Sequence, residues 1–133
     1  MSDRTTYQVG AVGAIAGAVL LVTGTILHPF EADPNDPLAA FTEYAADRLW
    51  VASHLTQLIG VLLMVFAFVL LSRRMASGRG ASWAQLGVVG ATASLSAAAA
   101  LQAVDGIALK KMVDAWAAAA TTEKGMLFQA ASE

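Results

Sequence analysis

Apolar residues in this chain fall in long blocks rather than at alternating positions. No Asp, Glu, Lys or Arg occurs from Thr5 to Phe30, from Leu49 to Ser72 or from Gly80 to Val104. Each block exceeds the about 20 mostly apolar residues with which a helix crosses a bilayer. The pattern predicts an all-α integral membrane helical bundle, a single domain over residues 1–133. Spans are expected at about 7–27, 50–71 and 83–104. An outer connection at 28–49, an inner loop at 72–82 and a tail at 105–133 complete it. The first block outruns the apolar region of a signal peptide, about 7–15 residues, and is read as an uncleaved span.

Between the blocks the breakers are clear. His28-Pro29 closes the first, and the acidic stretch to Pro37 holds all three prolines together with Glu31, Asp33 and Asp36. Asp36-Pro37 reads as a helix start, Asp as N-cap and Pro at the first helical position. Leu38, Phe41, Ala45 and Leu49 then share a face, which predicts a short amphipathic outer helix lying on the membrane surface or running into span two. After Asp105, Lys110, Lys111, Asp114, Glu123 and Lys124 punctuate an Ala-rich stretch. It reads as a partly helical tail, too short and too charged to span.

Small residues mark packing faces. Gly10, Gly17 and Gly24 repeat every seven residues on span one, and Gly13 joins them at helical spacing. Between helices in lipid, close backbone approach at such residues favours association. The partner is either another span of this chain or a second copy, so a homo-oligomer or a membrane partner is an open expectation. Span three carries Gly87, Ala91, Ser94, Ala98 and Leu101 at helical spacing and is expected to pack among other helices.

Composition narrows the chemistry. Charged residues are 14% and hydrophobic residues 57%, against about 25% charged in an ordinary soluble domain. With 8 basic and 10 acidic residues, net charge −2, no basic field for nucleic acid exists. Absence of cysteine removes disulfides, thiolate metal sites and cysteine nucleophiles. No phosphate-binding glycine loop, nucleophile elbow or recognised triad is present, so no enzyme is expected. Arg73, Arg74 and Arg79 share a loop without acids. The positive-inside rule therefore puts the N-terminus and this loop in the cytoplasm, in a multi-pass protein of the plasma membrane. Lys110-Lys111 weighs slightly the other way. Trp50 and Trp83 read as interface anchors.

That topology gathers the polar residues of the spans at one depth. His28 ends span one, His54 lies a turn inside span two, and Asp105 ends span three, with Gln57 and Gln102 nearby. His54 and Gln57 share a face, Trp50 precedes His54 by one turn, and Asp47 lies seven residues before it as a candidate acidic partner. Three readings stay open. The polar groups are structural, at a depth where they cost little. Alternatively, His28 and His54 hold haem b, or His28, His54 and Asp105 hold a divalent metal. The third is an outward-facing pocket for a proton or substrate.

The run His28-Pro29, Asp33-Pro34, Asp36-Pro37, followed by Trp50-x-x-x-His54-Leu55-x-x-Leu58-x-Gly60, resembles small multi-pass bacterial membrane proteins of unassigned activity. The resemblance covers about residues 24–74. It implies location and topology, not a mechanism, and it implies a further pair of helices beyond Glu133. The leading expectation is a non-enzymatic membrane component packing through its Gly/Ala seams, with itself or a partner. The alternative is an outer-leaflet haem or metal binder using His28 and His54.

Overall fold

In the computed structural model, residues 3–33, 35–75, 77–78 and 80–132 are described. They form helices α1 (Asp3–Leu27), α2 (Pro37–Ala46), α3 (Trp50–Ser72), α4 (Ala81–Leu101), α5 (Lys110–Ala118) and α6 (Thr121–Ser132). A 3₁₀ turn, Arg73–Met75, extends α3, and a π-helical segment, Gln102–Leu109, joins α4 to α5. No strand occurs among the described residues. Pro34 and Arg79, both used in the sequence reading, lie outside them.

Three helices are long and apolar enough to cross a membrane. The 25 residues of α1 reach about 37 Å at about 1.5 Å per residue, enough for a hydrocarbon core of about 30 Å. The third candidate differs from the expected 83–104. Helical backbone continues from Ala81 to Ala118, 38 residues without a stop. No proline interrupts 101–118, and Gly106 is taken up in the π segment instead of ending the helix.

The central helix is α3, with its most extensive packing on α1. The glycines of α1 explain how. A Cβ on Gly17 would lie 2.7 Å from the Gly60 carbonyl oxygen, and one on Gly60 would lie 2.8 Å from that of Gly17. A Cβ on Gly24 would meet the Ser53 carbonyl oxygen at 2.7 Å. Contacts relax toward the other end, where Gly13 faces Ala67 and Gly10 faces Leu70 at ordinary distances. The helices therefore run antiparallel with backbones touching near their middle. Of the two candidate partners for the glycine seam, the one seated on it is α3 of the same chain.

On its other flank α3 meets α4. Gly87 admits the Phe68 ring, whose Cζ would stand 2.8 Å from an added Cβ. Otherwise α4 is not packed among helices as expected. Its most apolar stretch has no buried residue. Ala91 is half-buried, and Ser94 is exposed with its hydroxyl donated to the Gly90 carbonyl. Side chains this small reach across to little beyond α3.

The 28–49 connection and the tail build a cap on one end of the bundle. Asp36 caps α2, its carboxylate accepting from the Leu38 and Ala39 amides at 3.1 Å. Phe41 of α2 packs with Val113 and Trp116 of α5, joined by Tyr44, Leu127 and Phe128. Lys110 donates to the Tyr44 and Ala45 carbonyls at 2.9 and 3.1 Å, supplying a cation to the open C-terminal end of α2. So α2 neither lies free on a surface nor runs into α3, and the tail, helical as expected, folds back to cover it. Leu38 and Leu49, expected on the apolar face, are exposed.

Candidate metal centre

His28, His54 and Asp105 converge under this cap, each offering one potential ligand atom, all within 4.8 Å of one another. Three local features bring them together. His28 follows the last turn of α1, next to Pro29. His54 sits in the second turn of α3 and is 3% exposed. Asp105 projects from the π segment, whose wider turn shifts it out of the α-helical register of α4. Gly106 allows the approach: a Cβ there would stand 2.9 Å from the His54 Cβ and 3.0 Å from its ring.

The hydrogen bonds determine which ring nitrogens are available. His28 Nδ1 lies 2.7 Å from the Pro29 carbonyl oxygen, and His54 Nδ1 lies 2.8 Å from that of Trp50. A carbonyl only accepts, so both Nδ1 atoms carry hydrogen. In a neutral ring the Nε2 lone pair is then the free one. Metal-binding histidines are held this way, by a backbone partner on the second nitrogen. His54 Nε2 lies 3.2 Å from Asp105 Oδ2.

Aromatic rings enclose the pair. Trp50, 1% exposed, has its ring centroid 4.8 Å from His28, 4.6 Å from His54 and 4.5 Å from Tyr44. Its Nε1 donates to the Asp105 carbonyl at 3.1 Å, tying α3 to the π segment. Burial pushes the Tyr44 phenol above its ordinary pKa, and the charges of Glu43 and Asp105 add to this. Tyr44 therefore stays protonated, a neutral lid over Trp50. Asp105 keeps 40% of its side chain exposed, so the cluster opens to the surrounding medium on the carboxylate side.

One helical turn below, Gln102 Nε2 donates to Gln57 Oε1 at 3.2 Å, linking α4's end to α3 in a second polar layer. Asp47 does not serve His54. The chain breaks between α2 and α3, which removes the seven-residue register, and the Asp47 carboxylate instead accepts from the Leu49 amide at 2.7 Å. Sequence reasoning placed Trp50 one turn before His54 and missed Gly106. The sequence reading also took Trp50 as an interface anchor, whereas the residue is 1% exposed inside the protein. Nothing in the sequence marked Gly106.

Ring separation discriminates between metal groups. Axial imidazoles on opposite faces of a porphyrin are parted by two bonds of about 2 Å plus the depth of both rings. The His28 and His54 centroids are 5.0 Å apart, with the Trp50 ring tilted against both. That separation is shorter than such an axial pair spans. Compared with family models, curated proteins and solved structures, the chain matches none.

Proposed function

We propose that this chain is a multi-pass plasma-membrane protein that holds a divalent transition-metal ion on His28, His54 and Asp105 at the outer end of its bundle. The observation that carries the proposal is the pair of imidazoles with Nδ1 beside backbone carbonyls, grouped with one carboxylate so that a ligand atom of each lies within 4.8 Å of the others. Two imidazoles and a carboxylate suit zinc, copper, iron or nickel far better than magnesium or calcium. Three protein ligands leave coordination positions open, on the exposed side of Asp105, for water or a small ligand.

The membrane part of the reading is supported by where large apolar side chains go. Val12, Ile15, Val19, Val22 and Ile26 of α1 are exposed, as are Leu55, Ile59, Leu62 and Phe66 of α3. Apolar side chains exposed in continuous stripes mark a surface that meets something other than water, and lipid is their natural solvent. Orientation follows the arginines: N-terminus and the 72–82 loop inside, cap and metal centre outside. The glycine seam of α1 serves internal packing in this reading, and no reaction is assigned.

The test is metal binding by the full chain in mild detergent after chelator treatment. Calorimetry and elemental analysis should find one ion per chain, with Cu²⁺ bound more tightly than Zn²⁺ and Zn²⁺ more tightly than Mn²⁺. His54→Ala should abolish it. A wild-type protein that stays metal-free at micromolar Zn²⁺ and Cu²⁺ overturns the proposal, and a Soret band lost in His54→Ala replaces the ion with haem.

A further inference from the structure

Arg73 and Arg74 are neighbours in sequence and part company in space. They open a 3₁₀ turn, in which about three residues complete a revolution and adjacent side chains diverge. Arg74 lays its guanidinium 4.2 Å from the centroid of the Tyr7 ring on α1. Arg73 is exposed on the α4 side, at the mouth of a groove of about 480 Å³ between the end of α3 and the start of α4. Ala81, Ala84, Val88 and Val89 supply its apolar lining, and Gln85 lines it along with Arg73. Ser72 also borders it, but its hydroxyl donates to the Val69 carbonyl.

Charge and depth point to one occupant. No acidic residue occurs between Arg48 and Val104, so neither α3 nor α4 offers a carboxylate to Arg73. Trp83, two residues into α4, is 75% exposed, and an indole there marks the headgroup level of a bilayer. The Arg fork matches a phosphate diester in two hydrogen bonds, which a zwitterionic headgroup's own cation would oppose. We propose that this groove binds one anionic phospholipid, its phosphate on Arg73 and Gln85 and an acyl chain along Val88 and Val89. This rests on the membrane-spanning reading, and not on the metal centre.

Native mass spectrometry of the full chain in mild detergent tests it, with phosphatidylglycerol and phosphatidylcholine of identical chains as probes. Wild type should retain one phosphatidylglycerol in preference to phosphatidylcholine. Arg73→Gln should cut that preference about fivefold, the worth of one arginine at a membrane surface, while Arg74→Gln should change it less than Arg73→Gln does. Val88→Phe, which fills the groove, should lower retained phosphatidylglycerol with Arg73 intact. Equal retention of the two lipids, an unchanged Arg73→Gln preference, unchanged retention in Val88→Phe, or displacement by millimolar inorganic phosphate each overturn the proposal. Alkaline carbonate extraction of cell membranes separates the two levels: release of the chain sinks the membrane reading, whereas a retained chain without lipid preference sinks only the groove.

Discussion

His54 Nε2 lies 3.2 Å from Asp105 Oδ2, across fifty-one residues of chain, while His54 Nδ1 is held 2.8 Å from the Trp50 carbonyl one turn back. Two metal–ligand bonds of about 2.0–2.1 Å at a tetrahedral angle span a little over 3 Å, so this pair already has the spacing of two ligands on one ion. Asp105→Asn removes the anionic ligand and keeps the shape. It should lower Zn²⁺ affinity by at least tenfold with the helical circular dichroism unchanged. Trp50→Phe keeps an aromatic ring in place but deletes the Nε1–H bond to the Asp105 carbonyl. As the loss of an outer support, it should weaken binding by about 10-fold to 100-fold. Calorimetric titration of both variants beside wild type checks the pair, and a Trp50→Phe affinity equal to wild type would remove the indole from the site.

Gly17 and Gly10 look equivalent on the helical repeat and are not equivalent in space. An added Cβ at Gly17 meets backbone atoms, the Gly60 oxygen at 2.7 Å and the Met64 nitrogen at 3.0 Å. Backbone cannot rotate away, so Gly17→Ala forces the helices apart. It should cost about 1–3 kcal/mol by overpacking, against a gain of up to about 1 kcal/mol in helix propensity. Gly10→Ala meets Leu70 at 3.7 Å, an ordinary contact, and should be neutral or slightly stabilising. Unfolding in graded denaturing detergent, followed by circular dichroism, should rank Gly10→Ala above wild type or level with it, and Gly17→Ala below.

What was legible in the sequence follows the range of the interaction concerned. The α2 start at Asp36-Pro37 needs only neighbours within three residues, and it stands where local capping chemistry puts it. The convergence of His28, His54 and Asp105 was readable as a common depth, because residues ending three spans on one side must share a level. Their mutual distances were not readable, since they depend on the π segment that turns Asp105 toward His54. No local rule announces that segment: Gln102–Leu109 has good helix formers and one glycine. The cap was hidden for a similar reason. Val113 and Trp116 lie three apart on a weakly apolar helix, and only Phe41, some seventy residues earlier, makes them a core. Resemblance of the 24–74 motifs implied location and topology, and no family model, curated protein or solved structure matches the chain to extend it.

The cap depends on Lys110 more than on its ion pair. Lys110 Nζ reaches the Tyr44 and Ala45 carbonyls as well as Asp114, which lies 2.7 Å away but is half-exposed. An exposed pair at this spacing contributes under about 1 kcal/mol. A hydrogen bond from a charged group to an otherwise unsatisfied carbonyl contributes about 1.5–3 kcal/mol. Lys110→Met should therefore open the cap and Asp114→Asn should not. Hydrogen exchange of the α2 amides reports it directly, with faster exchange expected in Lys110→Met alone.

Orientation can be checked without disturbing either site, because the chain has no cysteine. Asn35 lies in the acidic connection beside the cap, its amide hydrogen-bonded to Asp33, and Ser77 lies in the turn after Met75. Both are exposed and far from the glycine contacts, so Asn35→Cys and Ser77→Cys should fold as wild type does. The arginines of the 72–82 loop outweigh Lys110 and Lys111, since the charge rule acts most strongly on short loops beside the spans. A membrane-impermeant maleimide added to intact cells should label position 35 and leave position 77 until the membrane is permeabilised. The reverse pattern would turn the metal centre toward the cytoplasm. There the same three ligands would meet a metal pool buffered by the cell, so this labelling result decides which side supplies the ion.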